Sequence, residues 1–240
     1  MYRIAFVVPA YNEKESIAAV VGDLNTIIKE NQLSAEIVVV NDCSTDSTGS
    51  ILDTLPCIAL NLPVNLGIGG AVQTGFKYAF ENGFDFAIQI DGDGQHPAGE
   101  IPKLIKAQQL NSWNITIGSR FIEKTGFQSS LLRRTGINYF RHLIWLLVRV
   151  TVTDSTSGFR LIDRKTLQAV CDYYPDEYPE PEAIILFCKS NLSLGETPVN
   201  MRERMGGVSS IGRRASVYYM FKVTLSILFT YIKTSSKKAP

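Results

Sequence analysis

Short apolar runs alternate along the first half of the chain with stretches in which apolar residues recur every three or four positions. Residues 4–8, Ile-Ala-Phe-Val-Val, are closed by Pro9 and read as a buried strand. Ile17, Val20, Val21, Leu24, Ile27 and Ile28 then follow helical spacing. Asn12 is placed to cap that helix, with Glu13 and Glu15 near its positive amino end. Residues 37–40 form a second strand ending at Asn41-Asp42, and residues 44–48 a turn and helix start. Residues 58–62 predict a third strand, and residues 65–70 open a helix that runs to about residue 82. Residues 86–90 and 115–119 predict the fourth and fifth strands. Strands separated by helices of this length imply a mainly parallel sheet covered on both faces, hence an α/β fold. Tyr11, Asn12, Asp42 and Asp91 all follow apolar strand cores, so a parallel sheet brings them to one rim.

The second half is less regular. Residues 131–152 read as a helix with an apolar face and interspersed arginines, and residues 154–160 as a polar loop. Helices are expected over 167–174 and 182–190, an extended segment over 192–204, and a last helix over about 215–233. That last segment is apolar and aromatic but interrupted by Lys222 and several hydroxyls. A spanning helix needs about 20 predominantly apolar residues, so the segment suits an amphipathic helix lying on an anionic leaflet. A helix packed on the domain or in an oligomer is the other reading. The expected organisation is therefore one domain over 1–212 and a basic amphipathic helix and tail over 213–240.

The chain's clearest chemistry is Asp91-Gly92-Asp93 at the end of the fourth strand. Two carboxylates spaced by one glycine offer hard oxygen ligands for Mg2+ or Mn2+, which bind one or two carboxylates together with substrate phosphates. Gln95 is expected as a neutral third ligand or a diphosphate partner. Taken alone, the same residues also fit a polar turn. At 240 residues the chain fits one large domain, and a net charge of +1 gives no global field toward nucleic acid. Positive charge is concentrated in the last part of the chain, which suits phosphate or anionic lipid. Four cysteines without metal spacing read as reduced thiols of a cytosolic protein, and no signal-peptide pattern opens the chain. Of the two histidines, His96 is open to either a phosphate contact or a local turn bond, and neither it nor His142 is assigned to a metal.

Val7-Val8-Pro9-Ala10-Tyr11-Asn12-Glu13, the segment 39–46, Asn65-Leu66-Gly67-Ile68-Gly69-Gly70 and Asp91-Gly92-Asp93 together resemble the family 2 glycosyltransferases, which have the GT-A fold. Gln95-His96-Pro97, Gly118-Ser119-Arg120, the segment 154–160, Glu182, the segment 195–199 and the segment 204–209 resemble the branch of dolichol-phosphate mannose synthases and bacterial polyprenyl-phosphate hexosyltransferases. Asn41 and Ser210 depart from that branch, standing where an acidic residue and a lysine are common. The resemblance implies a nucleoside pocket at Pro9, Tyr11, Glu13 and Asp42, with Asp91 on the donor. Gly67, Gly69 and Gly70 are expected to let backbone approach that donor. Arg120, Arg133, Arg134 and Arg204, with Ser209, are the expected binders of the acceptor phosphate. Arg160 is expected as a structural partner of Asp154 or another carboxylate.

The activity implied by this resemblance is the transfer of a hexose, with inversion, from a UDP- or GDP-sugar to undecaprenyl or dolichyl phosphate. Asp93, Arg120 and Glu182 are the expected catalytic residues, and Mg2+ or Mn2+ the cofactor. The enzyme would work peripherally on the inner face of the membrane, without nucleic acid, and self-association is left open. An acceptor phosphate is already anionic and needs little base help, so Glu182 is expected to orient groups or steady its loop; a sugar hydroxyl would instead need its proton removed. A transferase extending a surface polysaccharide and a non-catalytic nucleotide-sugar binding module are the alternatives. A nucleotidyltransferase is disfavoured, because Pro9-Ala10-Tyr11-Asn12 lacks a phosphate-binding loop.

Overall fold

The computed structural model describes residues 2–123, 131–177, 179–203 and 213–236. Its first half follows the expected alternation: β1 (Ile4–Ala10), α1 (Ile17–Glu30), β2 (Ala35–Asn41), α2 (Thr48–Leu52), β3 (Ile58–Asn61), α3 (Gly67–Glu81), β4 (Phe86–Gln89), α4 (Ile101–Asn111) and β5 (Ile115–Ser119). The second half supplies α5 (Leu131–Val148), β6 (Arg160–Asp163), α6 (Arg164–Asp172), α7 (Pro179–Lys189), β7 (Leu194–Pro198) and α8 (Arg213–Ser236).

One seven-stranded sheet runs β3-β2-β1-β4-β6-β5-β7. Pairing is parallel from β3 to β4 and between β5 and β7, while β6 lies antiparallel to both of its neighbours. The sheet is buried on both faces, and β1 shows how. Ala5 and Val7 join the core under α3, whereas Ile4, Phe6 and Val8 join the core under α1. A strand covered on both sides reads as a continuous apolar run, which is why β1 was visible in the sequence.

β6 was not. It is four residues long, opens with Arg160, and lies at the end of the stretch expected to be a loop. Arg160 is nevertheless buried, because its guanidinium donates to the carbonyls of Ser157 (2.8 Å) and Glu180 (2.7 Å). The helix expected over 131–152 stops at Val148, where Arg149 takes a left-handed φ of 58°. The helix expected from Asn12 starts only at Ile17. Asn12 instead has φ 56°, and its side chain accepts the N–H groups of Thr45 and Asp46.

The C-terminal helix packs against the rest of the chain. Val223 and Ile227 of α8 are fully buried in the same core as α3, α5 and α7. Its other side is not polar: Tyr218, Phe221, Leu225, Phe229 and Ile232 are all exposed along one stripe. The helix is therefore apolar on two sides rather than amphipathic.

Local capping fixes α6. The Asp163 carboxylate accepts the Thr166 N–H and hydroxyl, each at 2.8 Å, and the Asn114 amide at 2.7 Å. Asp163→Ala removes this cap and should lower stability by about 1–2 kcal/mol in denaturant unfolding; an unchanged midpoint would show that the cap is dispensable.

Candidate active site

Strand order sets the location of the site. From β1 the chain moves outward through β2 to β3, then returns to place β4 on the other side of β1. The connections after β1 and β4 therefore leave in opposite directions and open a crevice between them, the usual ligand position of such sheets. The two rims nearly touch. A Cβ on Gly92 would lie 2.9 Å from the Pro9 carbonyl, so only glycine fits between the paired carboxylates.

Asp91 and Asp93 occupy that crevice together. The Asp91 side chain is partly exposed, and Asp93 is buried with its carboxylate accepting the Gln95 N–H at 3.0 Å. Gly94 carries φ 78°, which turns the loop back so that Gln95 follows the carboxylates. Beneath Asp91, a Cβ on Gly158 would meet Asp91 Oδ1 at 3.3 Å and the Gln89 amide at 2.8 Å. His96 lies beside Asp91: its Nδ1 accepts the Asp91 N–H at 3.0 Å, and its ring stacks on Phe159. Of the two roles left open for His96, the geometry shows the local turn bond. Among the described residues no three His, Cys, Asp or Glu side chains gather into a metal cage. Two carboxylates are an incomplete oxygen set, which fits a Mg2+ or Mn2+ whose remaining ligands would come from a diphosphate and water.

The expected nucleoside side is held mainly by backbone. Tyr11 stands half exposed on the rim. Glu13 accepts the Ser16 hydroxyl at 2.9 Å, and its N–H donates to the Thr48 hydroxyl. Asp42 is buried, with one carboxylate oxygen on the Leu66 N–H (2.7 Å) and the other on the Gly67 N–H (2.9 Å). It clamps the start of α3. Gly69 and Gly70 are closely packed. A Cβ on Gly69 would lie 2.0 Å from the Pro175 carbonyl, and one on Gly70 would lie 2.5 Å from Leu66 Cβ. The space beside these glycines is filled by other parts of the chain.

Across the crevice, Arg120 is buried and forms a two-pronged pair with Asp154, with Nε–Oδ2 and Nη2–Oδ1 distances of 2.7 Å. Burial disfavours the guanidinium charge, but the Asp154 bonds and the nearby Asp91 and Glu180 carboxylates outweigh it and hold its pKa above the ordinary value. Removing one partner of such a buried pair typically costs about 3–5 kcal/mol. Arg120 is thus held in place by a carboxylate of the chain itself. It also takes Asp154, a partner expected for Arg160. Glu196 secures the same loop by accepting the N–H groups of Thr153 and Asp154. Nothing in the spacing of the sequence pointed to Glu196 or to the Arg120–Asp154 pair. Arg134 is partly buried on α5; Arg204 and Ser209, and the side chain of Arg133, lie outside the described residues.

Glu182 is not brought to the carboxylate doublet. It lies in the seam between α7 and α8, where its Oε1 accepts the hydroxyls of Tyr173 (3.0 Å) and Thr230 (2.5 Å). The acidic residue of α7 whose charge reaches Arg120 is Glu180. Burial raises the Glu182 pKa, opposed by its two hydroxyl bonds. A carboxyl raised on folding contributes most below its unfolded pKa, and that contribution is lost as pH rises through the folded value. Glu182→Gln keeps the acceptor without the charge. It should therefore flatten the fall in thermal stability as pH rises from about 4.5 toward neutrality; an unchanged pH profile would show that the seam does not sense this charge.

Comparison with known proteins agrees with this geometry. Residues 5–171 match Glycosyl transferase family 2. The chain is 30% identical over 245 residues to the UDP-N-acetylglucosamine–dolichyl-phosphate N-acetylglucosaminyltransferase of Methanococcus voltae, covering 94% of each chain. It is 30% identical over 174 residues to the undecaprenyl-phosphate mannosyltransferase of Micrococcus luteus, covering 70% of this chain and 69% of that one. In fold it is similar to mannosyl-3-phosphoglycerate synthase from Rubrobacter xylanophilus, with a TM-score of 0.76 at 13% identity, over 99% of this chain and 76% of that one. It is also similar to glucosyl-3-phosphoglycerate synthase from Mycobacterium tuberculosis, solved with Mn2+ and UDP, with a TM-score of 0.69 at 16% identity, over 97% of this chain and 80% of that one. The carboxylate doublet at the β1/β4 crevice, the GT-A architecture and these matches lead to one conclusion: the chain belongs to glycosyltransferase family 2 and is a glycosyltransferase.

Proposed function

We propose that the chain transfers a hexose from a UDP- or GDP-sugar to a polyprenyl phosphate, with Mg2+ or Mn2+ held by Asp91, Asp93 and Gln95. The observation that carries this reading is the carboxylate doublet at the rim of the β1/β4 crevice. The named activities of the Methanococcus voltae and Micrococcus luteus relatives, both on polyprenyl phosphates, support the acceptor class. The metal would neutralise charge on the departing nucleoside diphosphate.

In this reaction the bond from the anomeric carbon to the diphosphate oxygen breaks. A bond from the same carbon to an acceptor phosphate oxygen forms on the opposite face. That oxygen is already anionic, so no residue need remove a proton. The placement of Glu182 in the α7–α8 seam suits this acceptor better than a sugar hydroxyl, which would need a base in the crevice. Tyr11 on the rim is available to stack on the base. Arg120 lends positive potential to the crevice through its position near Asp91 while remaining paired to Asp154.

A lipid acceptor requires contact with a membrane surface, here taken as the inner face. No helix among the described residues is long and apolar enough to cross a bilayer. The outer stripe of α8 offers Tyr218, Phe221, Leu225, Phe229 and Ile232 instead. No acidic residue occurs from Arg213 to the end of the chain, while Arg213, Arg214, Lys233, Lys237 and Lys238 flank the stripe. Aromatic and aliphatic groups between basic ends are the composition of an interfacial helix on an anionic leaflet.

Two experiments test the reading. Purified protein with undecaprenyl phosphate and a panel of radiolabelled nucleotide sugars should carry label into the lipid phase for one donor. Asp93→Asn should reduce that transfer at least about a hundredfold with the fold intact; normal transfer by this variant would remove the metal site. Separately, Phe221→Ser with Phe229→Ser should release the protein from phosphatidylglycerol vesicles, and wild-type binding should weaken with salt. Equal flotation of both proteins would sink the assignment of that stripe.

A further inference from the structure

His96 makes two contacts with one residue. Its Nδ1 accepts the Asp91 N–H at 3.0 Å, and its Nε2 lies 3.6 Å from Asp91 Oδ2. An Nδ1 that accepts a hydrogen bond has no proton, so the neutral ring carries its proton on Nε2, the nitrogen facing the carboxylate. The ring is 6% exposed and lies almost flat on Phe159, with centroids 4.9 Å apart and 14° between planes. Phe159 is itself fully buried and packs closely on Gly118. Gly158 closes the other side of Asp91, at Oδ1. Asp91 is thus bonded through its backbone N–H, with the His96 ring beside one carboxylate oxygen and Gly158 beside the other.

We infer that His96 is a positioning residue. By binding the Asp91 amide and facing its carboxylate, it fixes the direction in which the doublet presents oxygen to a divalent cation. The inference rests on the proposed metal reading and adds to it a residue that is no ligand. Groups that orient metal ligands typically change metal affinity about 10–100-fold when removed.

Two substitutions separate this role from packing. His96→Phe keeps a ring on Phe159 and removes the acceptor; His96→Asn keeps an acceptor near Nδ1 and removes the ring. Mn2+ affinity is measured by calorimetry on the full chain with UDP or GDP present, alongside thermal melting. His96→Phe should bind Mn2+ at least about tenfold more weakly than wild type. His96→Asn should recover most of that loss although it melts at a lower temperature. Wild-type affinity in His96→Phe, or equal losses in both variants, would overturn the inference. Absence of Mn2+ uptake by the wild-type protein would overturn the metal reading and the inference with it. Should His96→Phe not fold, the unaltered protein still decides. With only two histidines in the chain, 15N-histidine spectra should show a non-protonated Nδ1 and protonated Nε2 for His96. The opposite tautomer would overturn the assignment.

Discussion

Parallel strands leave their carboxyl ends on one rim, and a crevice opens there only where the chain reverses the direction in which it adds strands. In this molecule that point is the junction of β1 and β4, where Gly92 packs closely on the Pro9 carbonyl. Any side chain at position 92 would force the two loops apart. Asp91 and Asp93 then could not both face the crevice from consecutive turns of a short loop. The glycine between the carboxylates is therefore a packing requirement of the sheet as much as a spacer for a metal. Strand order, loop closure and ligand geometry meet in one residue.

Charge around the crevice is divided by burial. Asp91 remains partly open to solvent, whereas Arg120 and Asp154 are withdrawn and satisfy each other through paired 2.7 Å bonds. Glu196 extends the arrangement by holding the loop that carries Asp154. A buried pair of this kind adds little net stability against an apolar replacement, yet it fixes where its loops sit. Arg120 thereby keeps its guanidinium in one orientation close to Asp91.

Much of the first half was legible because its strands are covered on both sides. Runs such as Ile37 to Val40, short, β-branched and bounded by polar residues, read as buried strands, and β2 is one. The rim residues Tyr11, Asp42, Asp91 and Asp93 followed from where those runs end. The elements that escaped share a physical cause. β6 escaped because a buried strand that begins with Arg160 is made possible by backbone carbonyls from Ser157 and Glu180, which no local pattern reveals. Gly69 was visible as a close approach but not as an approach of residues 175 and 176, distant in sequence. Asp42 and Arg120 were recognisable as important without any indication that their partners lie within the chain. Sequence pattern gives the side a residue faces; it does not give the group it meets there.

The last helix shows the same limit in reverse. From composition, α8 reads as polar enough on one side to be amphipathic, since Lys222 and its hydroxyls interrupt the apolar run. Folded, those hydroxyls turn inward or along the helix: Thr230 donates to Glu182, and Thr224 and Thr234 to carbonyls one turn back. Their polarity is consumed locally. Lys222 pairs with Glu177, and Lys233 lies over the Tyr173 ring. With the polar groups absorbed, two apolar surfaces remain. Val223 and Ile227 face the core, while Phe221 and Phe229 face outward. A helix that is apolar on both sides reaches low free energy only when both are covered. The fold covers one. For an enzyme whose proposed acceptor has a hydrocarbon tail, a leaflet against the other side would bring the acceptor's headgroup and the catalytic domain to the same surface.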